Sequence, residues 1–118
     1  MLSAPRRLGR RARVALERVE TNRAEAWLPA AVVAEIVILR GLGRVEIGLP
    51  QLKHAMEINP GFRFLPLDLA QLDEFAALAA ITDPFDRLIV SAARAMHATL
   101  ITRDRALASC GLVDTVWA

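Results

Sequence analysis

The chain has 118 residues, of which 54% are hydrophobic and 24% are charged. This composition predicts one globular domain with a single core, and it excludes disordered, collagen-like and low-complexity chains. The single cysteine, Cys110, excludes a disulfide scaffold and a cysteine-rich zinc site. No apolar run approaches the roughly 20 residues that cross a bilayer, and no signal-peptide pattern is present. We therefore expect a cytoplasmic protein that does not bind membranes.

Basic residues are concentrated near the start of the chain. The first 27 residues carry seven Arg, including Arg10 and Arg11, against three Glu, whereas the remainder is slightly acidic. A basic flank beside an acidic body fits a protein that holds a polyanion at its edge. A solvated helix face that uses Arg is the simpler alternative.

Apolar periodicity and turn signals predict helices that alternate with strands. The predicted helices cover residues 8–19, 31–40, 49–58, 68–80, 85–97 and 103–109, and the predicted strands cover 25–29, 62–66, 99–102 and 115–117. Gly41 and Gly43 are expected to stop the helix at 31–40, and Asp68 is placed to cap the helix at 68–80. This alternation indicates an α/β fold of three layers with a central parallel sheet covered on both faces. The pattern is incomplete, because it opens on a helix with no strand before it and four strands are few for such a sheet.

Periodicity also predicts which side chains face the core. Helix 68–80 is expected to bury Leu69, Leu72, Phe75, Ala76 and Ala79, and helix 85–97 to bury Leu88, Ile89, Ala92, Ala93 and Met96. Trp27 and Trp117 lie on predicted strands and are expected in the core.

Three acidic residues stand out by position. Glu35 interrupts an apolar helix, Asp86 opens the helix at 85–97, and Asp104 follows the strand at 99–102. Ligands of parallel α/β sheets bind beyond the carboxyl ends of the strands. Carboxylates that converge there repel one another, and a hard dication such as Mg²⁺ or Mn²⁺ removes that conflict.

Each acid also has a structural interpretation. Asp83 followed by Pro84 is typical of a helix N-cap with Pro at the first position, which makes Asp86 the third helical residue, where a carboxylate stabilises the helix start. Asp104 is a candidate cap of the last helix. Glu35 has an alternative ion pair with Arg40 or Arg87.

The second half of the chain resembles the PIN-domain ribonucleases, specifically the VapC-type toxins of toxin–antitoxin pairs. The resemblance lies in Asp-Pro-Phe-Asp-Arg-Leu-Ile at 83–89 and Thr-Arg-Asp at 102–104. Weaker similarity extends to Ala-Glu-Ile at 34–36, to the strand at 62–66 and to the Arg-bearing helix at 8–13, so it covers nearly the whole chain.

The resemblance implies a metal-dependent endoribonuclease that hydrolyses RNA and is neutralised by a small antitoxin protein. Glu35, Asp86 and Asp104 would be its catalytic and metal-binding acids for Mg²⁺ (or Mn²⁺), with Thr102 and Asp83 supporting them. Arg87, Arg10 and Arg11 would contact RNA phosphates. Family members are typically homodimers, so the implied partners are RNA, an antitoxin and a second copy.

The chain departs from the family pattern at its start. The family opens with a central strand that carries its first acidic ligand, and here Met1 resembles a position after that strand. We therefore expect residues 1–118 to form a single PIN-like domain that is truncated at the N-terminus. Either the reading frame was started at an internal Met, or the chain is a truncated remnant with an incomplete site.

Two functions follow from these alternatives. The first is the ribonuclease toxin, and the second is a catalytically inactive PIN-like remnant that only dimerises or binds an antitoxin. A receiver-like phosphoacceptor domain is disfavoured, because it needs a lysine near its last strand and the only lysine here is Lys53.

Overall fold

The computed structural model describes Val14, residues 24–102 and residues 104–117 of the chain. The predicted helix at 8–19, apart from Val14, lies outside the described residues, as do Arg10 and Arg11. No helix in the described part is long and apolar enough to cross a membrane.

The described elements alternate as the sequence predicts. The strands are β1 (Ala26–Pro29), β2 (Phe62–Leu65), β3 (Leu100–Ile101) and β4 (Thr115–Val116). The helices are α1 (Ala30–Gly41), α2 (Leu49–Ile58), α3 (Leu69–Ala77), α4 (Pro84–Ala95) and α5 (Arg105–Ser109). The predicted order of elements is therefore confirmed from residue 24 onward. The main difference is that β3 and β4 are shorter than the predicted strands at 99–102 and 115–117.

The four described strands form two parallel pairs. In the first pair β1 lies beside β2, with Ala26 opposite Phe62 and Pro29 opposite Leu65. In the second pair β3 lies beside β4, with Leu100 opposite Thr115. The parallel arrangement agrees with the predicted α/β fold, but these strands make two separate two-stranded sheets rather than one.

Local sequence explains where the elements begin and end. Asp68 caps α3 by accepting a hydrogen bond from the Gln71 backbone N–H at 2.9 Å. The predicted stop after α1 is confirmed, because Gly43 adopts a φ of 71°, which costs a glycine little, and its N–H donates to the Arg40 carbonyl. Asn59 forms the turn before β2, its side chain accepting from the Gly61 N–H.

One cluster of the core lies in the helices that follow β2, and α1, α2 and β2 contribute other buried apolar residues. Leu78, Val90 and Leu107 form a buried cluster that joins the end of α3, the middle of α4 and α5. The fully buried Ser91 is satisfied, since its hydroxyl donates to the Arg87 carbonyl at 2.6 Å.

The predicted inward face of the helix at 68–80 is wrong at four of its five residues, because Ala76 and Ala79 are exposed as well as Leu69 and Leu72, and only Phe75 is half-buried. Leu69 and Leu72 are 79% and 40% exposed, whereas Gln71 is buried and its amide donates to the Pro66 carbonyl at 2.7 Å. The buried face instead passes through Gln71 and reaches Leu78, just beyond the helix. The prediction failed because apolar periodicity gives no weight to a glutamine that finds a buried backbone acceptor.

Smaller corrections concern three other residues predicted to lie in the core. Met96, just after α4, is exposed, and Val90 and Ser91 are buried beside the predicted Ala92 and Ala93. Trp27 and Trp117 are only half-buried. The strands are thus less enclosed than a parallel sheet covered on both faces would be.

Candidate active site

The three singled-out acids lie in, or directly before, three different helices. Glu35 lies in the second turn of α1, which directly follows β1. Asp86 lies in the first turn of α4. Asp104 precedes α5 and follows β3 closely. Two of these helices therefore start just after the carboxyl end of a strand, which is where parallel α/β folds gather their functional groups.

Electrostatics show that these acids share one region of the molecule. Burial raises the pKa of the Glu35 carboxyl, and the negative charges of Asp86 and Asp83 raise it further. Burial likewise raises the pKa of Asp86, with Asp83 and Asp104 adding to the shift. Each of the four carboxyl groups is thus close enough to at least one other to feel its charge, and Asp86 interacts with the other three.

Nothing in the described part of the chain neutralises this cluster. The ion pairs found there join Glu25 to Arg63 and Glu74 to Arg94, and neither involves the four clustered acids. The alternative in which Glu35 pairs with Arg40 or Arg87 is therefore wrong. Glu35 and Asp86 are half-buried, and without a counter-ion their carboxylates are less stable here than they would be alone in water.

The donor chemistry of the cluster fits a hard dication, since carboxylate oxygens are the ligands that Mg²⁺ and Mn²⁺ prefer. The carboxyl groups lie farther apart than the ligands of a bound metal ion would. Within residues 24–102 and 104–117, no group of three or more His, Cys, Asp or Glu side chains lies close enough to hold a metal ion. The carboxyl groups thus share an electrostatic field without forming a closed ligand set.

Two of the acids have confirmed capping roles. The Asp83 side chain accepts from the Asp86 N–H at 2.9 Å, which makes it the N-cap of α4 with Pro84 at the first position, as predicted. Asp104 caps α5 by accepting from the N–H groups of Ala106 and Leu107 at 2.8 and 3.2 Å. Both bonds to Asp104 use Oδ1. Capping and participation in the acidic cluster therefore coexist in the same side chains.

Thr102 lies where it can support Asp104. Its hydroxyl oxygen accepts a hydrogen bond from the Asp104 N–H at 3.1 Å. This bond fixes the backbone between β3 and α5 at the residue that carries the carboxylate. The position agrees with the supporting role expected for Thr102, which stays a prediction.

Arg87 is committed to holding two helices together. Its Nε donates to the Phe75 carbonyl at 2.8 Å, and its guanidinium carbon lies 4.0 Å from the centre of the Phe75 ring. These contacts anchor the first turn of α4, which carries Asp86, to the end of α3. Contact with RNA phosphate stays a prediction for Arg87, and the structural role is additional to it.

Sequence reasoning missed Arg94 and Glu74. Arg94 Nε lies 2.7 Å from Glu74 Oε2, and Arg94 Nη1 lies 2.6 Å from the Leu112 carbonyl oxygen. No local signal could have revealed these bonds, because the partners are 20 and 18 residues away along the chain.

Comparisons with known proteins agree with this architecture. In the solved structures, the chain is similar to one described as VapBC2 from Rickettsia felis bound to a DNA fragment from its promoter, with a TM-score of 0.64 and 18% sequence identity. The match covers 87% of this chain and 82% of that one, and at this identity it shows the shared fold. The curated proteins contain no significant match. A family model for the PIN domain matches residues 1–111. The chain therefore belongs to the PIN domain family.

Proposed function

We propose that this protein is a metal-dependent endoribonuclease toxin that hydrolyses RNA phosphodiester bonds and is neutralised by a small antitoxin. PIN domains are typically nucleases and are generally metal-dependent. The observation that carries the proposal is that Asp86 lies close enough to Glu35, Asp83 and Asp104 for their charges to interact, while no ion pair among the described residues involves these carboxylates.

In this proposal Glu35, Asp86 and Asp104 would hold the Mg²⁺ or Mn²⁺ ion. When bound, such an ion supplies an oriented and activated water and stabilises the charge that develops on the phosphate. Hydrolysis forms a bond between the water oxygen and phosphorus and breaks the bond to the leaving oxygen, which takes up a proton. Asp83 and Thr102 hold the backbone at Asp86 and Asp104, so the carboxylates keep their positions.

RNA and protein partners are assigned by the same proposal. Arg87, together with Arg10 and Arg11, would contact the phosphate backbone without reading sequence. An antitoxin and a second copy of the chain both need apolar docking area. The second half of α1 offers such area, since Val37, Ile38 and the following Leu42 are 47%, 48% and 64% exposed.

The test is RNA cleavage by the purified chain in Mn²⁺, with the variants Glu35→Gln and Asp86→Asn. Each variant keeps the side-chain shape and removes one carboxylate charge, so we expect cleavage to fall by about 10²-fold or more, the range seen when one transition-state-stabilising group is removed. Glu57→Gln on the exposed surface of α2 is the matched control and should cleave like the wild type. If both acidic variants cleave RNA as fast as the wild type, the proposal is wrong.

An inactive PIN-like remnant is the second candidate. It is favoured by one observation, namely that no three ligating side chains of the described residues lie close enough to hold a metal. Thermal unfolding with and without Mn²⁺ separates the candidates. A protein that binds the ion in its folded state melts at a higher temperature when the ion is present, whereas the remnant shows no shift.

A further inference from the structure

Arg94 lies where three segments of the molecule meet. It belongs to the last turn of α4, its Nε contacts Glu74 of α3, and its Nη1 contacts the carbonyl of Leu112 in the segment that leads to β4. The Arg94 and Glu74 side chains are only 35% and 32% exposed, so solvent weakens their bond less than that of a surface pair. Arg94 therefore connects both other segments to α4 with charge-assisted hydrogen bonds.

The rest of this junction is apolar. Val90, one turn before Arg94 on α4, packs with Leu107 of α5, and Leu100 and Leu112 lie against the same cluster. We call β3, α5 and β4, together with the segment between α5 and β4 that contains Leu112, the C-terminal unit. Apolar contacts hold this unit against α4 but have little directionality, whereas the bond from Arg94 to the Leu112 carbonyl defines one orientation.

We propose that Arg94 is a positioning residue that sets the orientation of the C-terminal unit, and with it Asp104, relative to Asp86 on α4. The importance of that orientation for a cation rests on the proposed function. Asp86 and Arg94 are eight residues apart on α4, which is about 12 Å along the helix. A carboxylate of the C-terminal unit that lies about 12 Å from the Arg94 contact would move by about 2 Å if the unit rotated by about 10°, which is roughly the length of one Mg²⁺–oxygen bond.

The experiment compares the wild type with Arg94→Ala, Arg94→Lys and the control Arg63→Ala. Arg63 also pairs with a glutamate, but that pair is more than half exposed and Glu25 precedes β1 at the end of the strand away from Glu35. Residual dipolar couplings of backbone amides report the orientation of the C-terminal unit relative to α3 and α4 without any metal. Mn²⁺ affinity is measured separately from the electron paramagnetic resonance signal of the free ion.

In Arg94→Ala we expect couplings of α3 and α4 that still fit the wild-type structure and couplings of the C-terminal unit that fit only after a rotation. The Mn²⁺ dissociation constant should rise by about tenfold, the lower end of what loss of an outer-shell partner causes. Arg94→Lys keeps a charge beside Glu74 but lacks a second donor arm, so its couplings should shift in the same direction. Arg63→Ala should change neither measurement.

Couplings of the C-terminal unit that stay unchanged in both Arg94 variants would overturn the proposal. If Arg94→Ala does not fold, Arg94→Lys decides the question on its own, and wild-type couplings in that variant count against a positioning role. A wild-type protein that fails to bind Mn²⁺ contradicts the proposed function instead, and the couplings still decide whether Arg94 orients the unit.

Discussion

The α3–α4 helix pair is more deeply buried than the two strand pairs. In α4, Val90 and Ser91 are completely buried, and Arg87 near the start of α4 and Arg94 in its last turn both bond to the second half of α3. The strands are mostly half-buried, and one pair is only two residues long. Asp86 therefore lies on a well-packed helix, whereas Glu35 and Asp104 follow strands that are only half-buried.

The largest effect should come from the packed side of this comparison. Leu78→Ala empties a site that is 3% exposed, so it should lower the free energy of unfolding by about 3 kcal/mol. Leu28→Ala in β1 is the matched variant on the strand side and should cost less than half as much, because Leu28 is only half-buried. Urea unfolding measures both, and equal losses would mean that the strand pairs are packed as well as the helices.

Arg87→Ala should have the next largest effect. It removes the hydrogen bond to the Phe75 carbonyl and the stacking on the Phe75 ring, so it should lower the free energy of unfolding by about 2 kcal/mol. Arg87→Lys restores the charge but not the planar group, and it should recover only part of that loss. Full recovery in chemical denaturation would show that charge alone fastens α3 to α4.

Asp104 allows capping to be separated from charge. Asp104→Ala removes the cap of α5 and should cost about 1 kcal/mol, whereas Asp104→Asn keeps an equally good cap and should cost much less. Under the proposed function, both variants lose Mn²⁺ affinity to a similar degree. Titration with Mn²⁺ beside thermal unfolding checks this, and an Asn variant that binds Mn²⁺ like the wild type would leave Asp104 as a cap only.

The smallest effect concerns pH. The pKa values of Glu35 and Asp86 are raised in the folded state, so the folded protein binds these protons more tightly than the unfolded chain does. Their contribution to stability is therefore full below the ordinary pKa values of 4.5 and 3.8 and is lost as pH rises through the raised values.

Glu35→Gln removes one of the two carboxylates whose negative charge destabilises the folded state at neutral pH. The variant should be more stable than the wild type at pH 7, and the difference should shrink near pH 4. Urea unfolding at both pH values measures it, with Glu57→Gln on the exposed face of α2 as the control. If the Glu35→Gln variant is less stable than the wild type at pH 7, the Glu35 carboxylate has a favourable partner.

Features set by neighbouring residues were predictable from the sequence. The caps at Asp68, Asp83 and Asp104 and the stop at Gly43 each depend on side chains or backbone within a few residues, and all are found as predicted. Helix α2 even keeps its predicted bounds, Leu49–Ile58. Local chemistry determines these features whatever the rest of the chain does.

Features set by distant partners were not predictable. The buried Gln71 replaces Leu72 on the inner face of α3 because the Pro66 carbonyl accepts its amide. The division of the strands into two pairs likewise depends on which strands hydrogen-bond, which periodicity does not specify. For the site, the sequence singled out Glu35 as an interruption of an apolar helix, Asp86 by its place at a helix start and Asp104 by its place after a strand. Arg94 gave no such signal, because its partners lie far along the chain.

The cap at Asp104 lowers the conformational entropy that is lost when a ligand binds this carboxylate. Folding has already removed most of the rotamer freedom of the side chain, because two backbone donors grip the same oxygen. An approaching ligand therefore finds the other oxygen preorientated and loses little additional conformational entropy on contact.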